Sequence, residues 1–345
     1  MAGGVSANDV PAFDSSFKSG ELKMLPTGFD YWSAMLEPYA EGTADLDIAL
    51  LRARDDNASA QSEFVEEGIF AGQTELTATL NGWEPEEGEC VAILTLNHAV
   101  HKDGWFTGDM EALPQNGYQA DLASTLLHEM AHALGIYGSV SVSEDETPKF
   151  DDVPNLWTEG LRDIDGRQAR PGMTIVTESE AEELLGQGES RSKLFVTLDK
   201  QEYGNQAGVG FTGANVAEVL GGATLSYADG GPVLRPNYLP INVWEGDEAE
   251  HSHIELQNSL MSHQNYRNWN TLMEAELAAL QDVSLKLDRR DWYGYSIYHS
   301  GTGEAPYVFV NHNPYYARQN GAWVEGKPNA TPWAWACIST ALIPM

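Results

Sequence analysis

The stretch Thr125–Ser139, TLLHEMAHALGIYGS, carries His128, Glu129 and His132 in the spacing H-E-x-x-H. In a helix, residues i and i+4 lie one turn apart on the same face. Two imidazoles can therefore reach one zinc ion, while the glutamate between them sits beside it as a base and not as a ligand. The surrounding segment, QADLASTLLHEMAHALG, reads as a helix with Asp121 as its N-cap and Gly135 as its terminator. Leu122, Leu126 and Met130 recur every four residues and are expected to bury one face. A catalytic zinc normally has three protein ligands and one open position. Longer forms of the pattern continue x-x-G and place a third histidine three residues after that glycine. Gly135 fits, but position 138 is Gly138, which has no side chain. That glycine reads as a point where the chain turns away, so a third ligand has to arrive from elsewhere.

Several residues qualify. His98 and His101 precede the helix, beside the end of an apolar run. Glu159, in EGLRD (Glu159–Asp163), matches the E-x-x-x-D string of a different zinc-protease class, but Gly160 and the pair Asp165-Gly166 make a poor helix there. The segment EHSHIELQNSLMSH supplies His251, His253 and His263. Spacing alone does not separate His251 from His253.

The chain has 345 residues, 42% of them apolar, enough to bury a core in one large domain or two. Lys and Arg number 19 against 52 Asp and Glu, a net charge of −33. This argues against nucleic acid and anionic membrane surfaces as partners. With 10 Trp, 14 Tyr and 10 Phe the acidity reads as a solvated surface and not as disorder. Two cysteines, Cys90 and Cys337, exclude a disulfide framework. The opening MAGGVSANDV lacks the basic and apolar regions of a signal peptide. No apolar run reaches the roughly 20 residues of a membrane span.

Along the chain, FDYWSAMLEPYA (Phe29–Ala40) reads as a helix and DLDIALLRAR (Asp45–Arg54) as an alternating strand. CVAILTLN (Cys90–Asn97) reads as a strand buried on both faces. From Gly138 to about Leu194 the chain reads as acidic and loop-rich, followed by a short strand KLFVTL (Lys193–Leu198). NVAEVLGG (Asn215–Gly222) is a short helix and NTLMEAELAALQDV (Asn270–Val283) a long one. Gly208, Gly210 and Gly213 form a G-x-G-x-x-G string. It does not directly join a strand to a helix, so a dinucleotide site is not expected.

The helix HEMAHALG followed at a distance by SHIE and NSLMS resembles the metzincin clan of zinc proteases, and within it the leishmanolysin-like metalloproteases. The resemblance covers about residues 25–290 and also takes in FTGANVAEVLGG, LPINVWEG and the upstream helix and strands. It implies an α+β fold, with a twisted mixed sheet and the active-site helix over an irregular C-terminal subdomain. It implies His253 as third zinc ligand in its S-H-x-E context, Met261 as the methionine of the turn, and Thr271–Asp282 as the helix that follows. Some metzincins carry a tyrosine two residues after that methionine, touching zinc or the transition-state oxyanion. His263 holds that place, and an imidazole there is a candidate for the same charge.

The expected organisation is an N-terminal subdomain at 1–138, a C-terminal subdomain with a long insertion at 139–287, and a β-rich or extended tail at 288–345. The tail is similar to the segment that joins a peptidase to a β-helical passenger in bacterial autotransporters. The expected function is zinc-dependent hydrolysis of protein or peptide substrates, with Glu129 as general base and zinc on His128, His132 and His253. The alternative is an adhesion or interaction module that keeps the metal for structure alone. The expected location is secreted or cell-surface, with the leader absent from this chain.

Overall fold

A computed structural model gives the fold. It describes residues 29–289 apart from 52–57, 98–104, 108–119, 143–146, 263–271 and a few shorter stretches, and beyond them four strands. His98, His101, His263 and Cys337 therefore lie outside the described residues.

The described chain is a mixed α+β structure built on small sheets. The first sheet takes β1 (Leu46–Leu51), β2 (Ala58–Gln61) and β3 (Ala92–Asn97) in the order β1-β3-β2. β3 runs parallel to β1, with Leu46 opposite Ala92, and antiparallel to the edge strand β2. The reading of β3 as buried on both faces is corrected. Ala92, Leu94 and Leu96 are buried, but Ile93 is 49% exposed. The alternation of buried and exposed side chains is that of a strand with one face in the core.

Upstream, residues 29, 32, 33, 35 and 36 are helical, and Phe29, Trp32, Met35 and Leu36 are buried, which agrees with the helix expected there. Helix α1 (Glu75–Leu80) is capped by Thr74, whose hydroxyl accepts from Thr77 N–H. Helix α2 (Leu122–Ala133) carries the H-E-x-x-H spacing. All twelve of its residues are buried, not one face as expected. The first sheet packs against it, and His253 and Leu260 of the returning chain meet it at His128, so the histidines and Glu129 share a water-poor setting.

Gly135 terminates α2 as expected. Its N–H donates to His132 O at 2.9 Å, and Ile136 N–H donates to Ala131 O at 3.0 Å, the paired bonds of a Schellman turn. Its φ of +121° suits glycine, and a Cβ there would lie 3.0 Å from Val283 Cγ2.

The segment read as loop-rich contains regular structure. Strands β4 (Val140–Val142), β5 (Pro148–Phe150) and β7 (Thr174–Thr177) join β8 (Leu194–Thr197), the strand expected at Lys193–Leu198, in a second sheet of order β8-β7-β5-β4. Between them lie α3 (Leu156–Gly160), the short strand β6 (Leu161–Arg162) and α4 (Glu178–Gly186). The start of α4 was readable. Thr177 and Glu180 form a capping box, each side chain serving the other's backbone N–H.

A third sheet pairs β9 (Gly210–Phe211) with β6 and with β10 (Leu239–Pro240). Helix α5 (Ala214–Leu220) follows β9. Its N-terminal amides at Asn215 and Val216 are taken at 2.9 Å each by the carboxylate of Asp282. A Cβ on Gly213 would meet that carboxylate, so the third glycine of the G-x-G-x-x-G string makes room for a side chain of the protein itself. Asp282 ends helix α6 (Glu274–Asp282), which starts later than the expected Asn270. Glu276 accepts from Met273 N–H at 2.5 Å and so caps the helix there.

One core runs through the first sheet, α2, α5, α6 and the segments between them. Beyond residue 289, four short strands between Gly294 and Gly326 pair antiparallel. No described helix is long and apolar enough to cross a membrane.

Candidate metal centre

His128 and His132 project from α2, and His253 meets them from the returning chain. His132 Nε2 lies 3.0 Å from His128 Nε2, which lies 3.2 Å from His253 Nε2. The His128 and His253 rings are nearly parallel, and His132 stands edge-on to both. The triad is the one such cluster of potential ligands among the described residues.

The other ring nitrogens explain why these three converge. His128 Nδ1 lies 2.7 Å from Leu260 O, and His132 Nδ1 lies 2.7 Å from Ile136 O. A carbonyl only accepts, so both Nδ1 atoms carry the proton. In the neutral rings both Nε2 atoms are then lone pairs, facing one another at 3.0 Å. Two lone pairs make no hydrogen bond, but a cation between them turns repulsion into attraction. His253 Nδ1 lies 2.9 Å from Glu250 Oε2, which places a carboxylate behind the third ring. The residues present thus fit a metal ion, with each ligand held from behind by a carbonyl or a carboxylate. Ile136 belongs to the turn built on Gly135, so the helix terminator also aims His132.

Glu250 escaped the sequence reading. Its only signal was a glutamate three residues before His253. Burial pushes its carboxyl up, but the charge and contact of His253 and the N–H of Ser252 prevail and hold it at about 2. It is therefore an anion at neutral pH and favours a cation at the triad.

The strand-like segment around His253 is fixed by neighbours. Asn242 N–H donates to His253 O, and Ile254 pairs with Ile241. Ser252 Oγ accepts from Gly138 N–H at 3.1 Å. Gly138 does not occupy a left-handed conformation, so backbone freedom is not what makes it glycine. A Cβ on Gly138 would lie 2.6 Å from His251 Cβ, so the residue is glycine because two chain segments cross here. Gly138→Ala should cost about 1–3 kcal/mol through overpacking. It should also weaken metal binding by moving the 250–253 segment. Thermal unfolding and metal titration check both, and an unchanged melting temperature refutes the crossing argument.

His251 is the rejected neighbour. It is 1% exposed, packs against Phe150 and Phe195, and neither ring nitrogen has a hydrogen-bond partner. Burial lowers its pKa to about 4, against the opposing charge of Glu250, so it is neutral at pH 7. His251→Ala should leave metal affinity within about twofold of the parent, because the ring points away from the triad. A large loss in a metal titration would make His251 a ligand.

Glu129 is buried on α2 between the two histidines, and its charge acts on His253. Glu159 is exposed on α3 and is not part of the cluster. Met261 is fully buried in the turn that carries Leu260 O. Comparison of the chain with known protein families, curated proteins and solved structures finds no match to any of them.

Proposed function

We propose that this chain is a zinc-dependent endopeptidase of metzincin-like, leishmanolysin-like architecture, acting on protein or peptide substrates outside the cell or at its surface. The observation that carries the reading is the convergence of three anchored histidine Nε2 atoms beside a buried glutamate that does not join them. Nitrogens on a tetrahedral zinc at about 2.0–2.1 Å stand about 3.3 Å apart, close to the 3.0 and 3.2 Å seen between neighbours here.

Bound zinc would polarise a peptide carbonyl and make a water molecule acidic near neutral pH. His128, His132 and His253 would hold it through Nε2. Glu129, as an ionised carboxylate, would take the proton of the attacking water and hand it to the leaving amide nitrogen. Leu260 O, Ile136 O and Glu250 would keep the three rings in the required tautomer and orientation.

Three protein ligands leave a coordination position open, as in catalytic sites, whereas structural zinc sites are closed by four. That count, made among the described residues, favours an enzyme over a metal-stabilised adhesion module. A structural site also has no use for the buried Glu129. Hydrolysis of an unfolded protein substrate, before and after removal of metal by a chelator, tests the proposal. Cleavage that stops on chelation and returns with zinc supports it. Cleavage unaffected by metal removal, or none in zinc-loaded protein, overturns it.

A further inference from the structure

The carboxylate of Glu276 is fully buried on α6, away from the triad, and both of its oxygens are used. Oε2 accepts from Met273 N–H at 2.5 Å and caps the helix. That alone would be an ordinary capping role. Oε1 does something else: it accepts from Ser259 Oγ at 2.5 Å and from Met261 N–H at 2.8 Å.

Met261 N–H and Leu260 C=O belong to one peptide group. The peptide is planar and its two dipolar ends point in opposite directions. One end is fixed on Glu276 Oε1, and the other lies 2.7 Å from His128 Nδ1. A negative charge at the N–H end polarises the peptide and makes its oxygen a stronger acceptor, since linked hydrogen bonds reinforce one another in a dry interior. A stronger acceptor on Nδ1 makes Nε2 the better ligand.

We propose that Glu276 is a positioning residue of the metal centre, which orients and polarises His128 through the Leu260–Met261 peptide. The inference rests on the reading of the triad as a zinc site. Burial pushes the Glu276 carboxyl up to about 7, even though hydrogen bonds from Ser259, Met273, Met261 and Leu260 pull it down. An apolar residue would pack here at less cost, so a buried carboxyl with three hydrogen-bond donors arranged around it calls for a role beyond filling space. Ser259 and Met261 lie in the turn NSLMS, so the carboxylate ties α6 directly to the segment behind the first ligand.

The experiment is a zinc titration against a competing chromophoric chelator, on the full chain, beside thermal unfolding of the metal-free proteins. Four proteins are compared: the parent, Glu276→Gln, Ser259→Ala and Asp282→Asn. Glu276→Gln keeps the shape but places an amide N–H₂ against a backbone donor whichever way it is turned. It should weaken zinc binding by roughly 10–100-fold, the range for losing an outer-shell partner. Asp282→Asn loosens the same helix at its other end, at the α5 amides, without touching the turn. It should lower the melting temperature and leave zinc affinity within about twofold.

Equal affinity in the parent and Glu276→Gln overturns the proposal, as does an equal loss in Asp282→Asn, which would make the effect general loosening. Should Glu276→Gln fail to fold, Ser259→Ala decides. It removes one donor to the same oxygen and should weaken zinc binding several-fold, and an unchanged affinity overturns the proposal. A parent protein that takes no zinc overturns this inference and the zinc-peptidase reading together. A parent that binds zinc while Glu276→Gln binds it equally well overturns this inference alone.

Discussion

Glu129→Ala should keep its metal and its fold and lose peptide hydrolysis by roughly 10²–10⁴-fold, the scale of a missing general base. In barrier terms that is about 3–5 kcal/mol. The carboxylate is buried on the site helix and its charge acts on His253, but the ligand cluster is complete without it. Removing it therefore takes away a proton acceptor and no metal bond. Stability should hold or rise, because a buried charge is costly in itself. The parent and the variant are compared for zinc per chain, melting temperature and rate on one peptide. Undiminished cleavage by a metal-loaded Glu129→Ala protein would sink the assigned mechanism. Loss of metal would instead make Glu129 a ligand.

The parts of this site that a sequence can show are those with short spacing. His128, Glu129 and His132 share one helix, and period alone puts them together. The Gly135 terminator was equally local. The third ligand was not, because Gly138 only removes one candidate. Choosing His253 over His251 rested on likeness to a clan, and in the structure the two rings part company. The segment between them is irregular, and Ser252 takes its contacts from Glu250 and Gly138. The partners behind the ligands, Leu260 O and Ile136 O, are backbone atoms with no sequence signal. Glu276 gave no signal in the sequence, and it is fully buried. The strands between Val140 and Thr177 were missed because each is at most four residues long, too short for alternation to stand out from an acidic background, whereas the apolar run KLFVTL did show the strand at Leu194–Thr197. Thr177-x-x-Glu180 and the N-cap Asn155 were markers in that region that could have placed helices.

His253→Ala should abolish most metal binding, a larger loss than the roughly 10–100-fold that an outer partner costs. Two nitrogens from α2 remain, and two ligands do not make the usual three-ligand site. The same substitution has a second consequence. Glu250 loses the imidazole 2.9 Å from its Oε2, and that oxygen is buried. Its side chain keeps 19% exposure, so leaving it unpaired should cost about 1–3 kcal/mol and not the larger penalty of a fully enclosed ion. A fall in melting temperature could then be mistaken for the cause of the metal loss. Adding Glu250→Gln separates the two effects, because the stranded charge is gone. The double variant should recover stability towards the parent and still fail to bind zinc in the chelator titration. If it recovers zinc binding as well, His253 is dispensable and the third ligand lies elsewhere. If His253→Ala alone keeps the full metal complement, the three-histidine centre is wrong, and with it the zinc peptidase built on it.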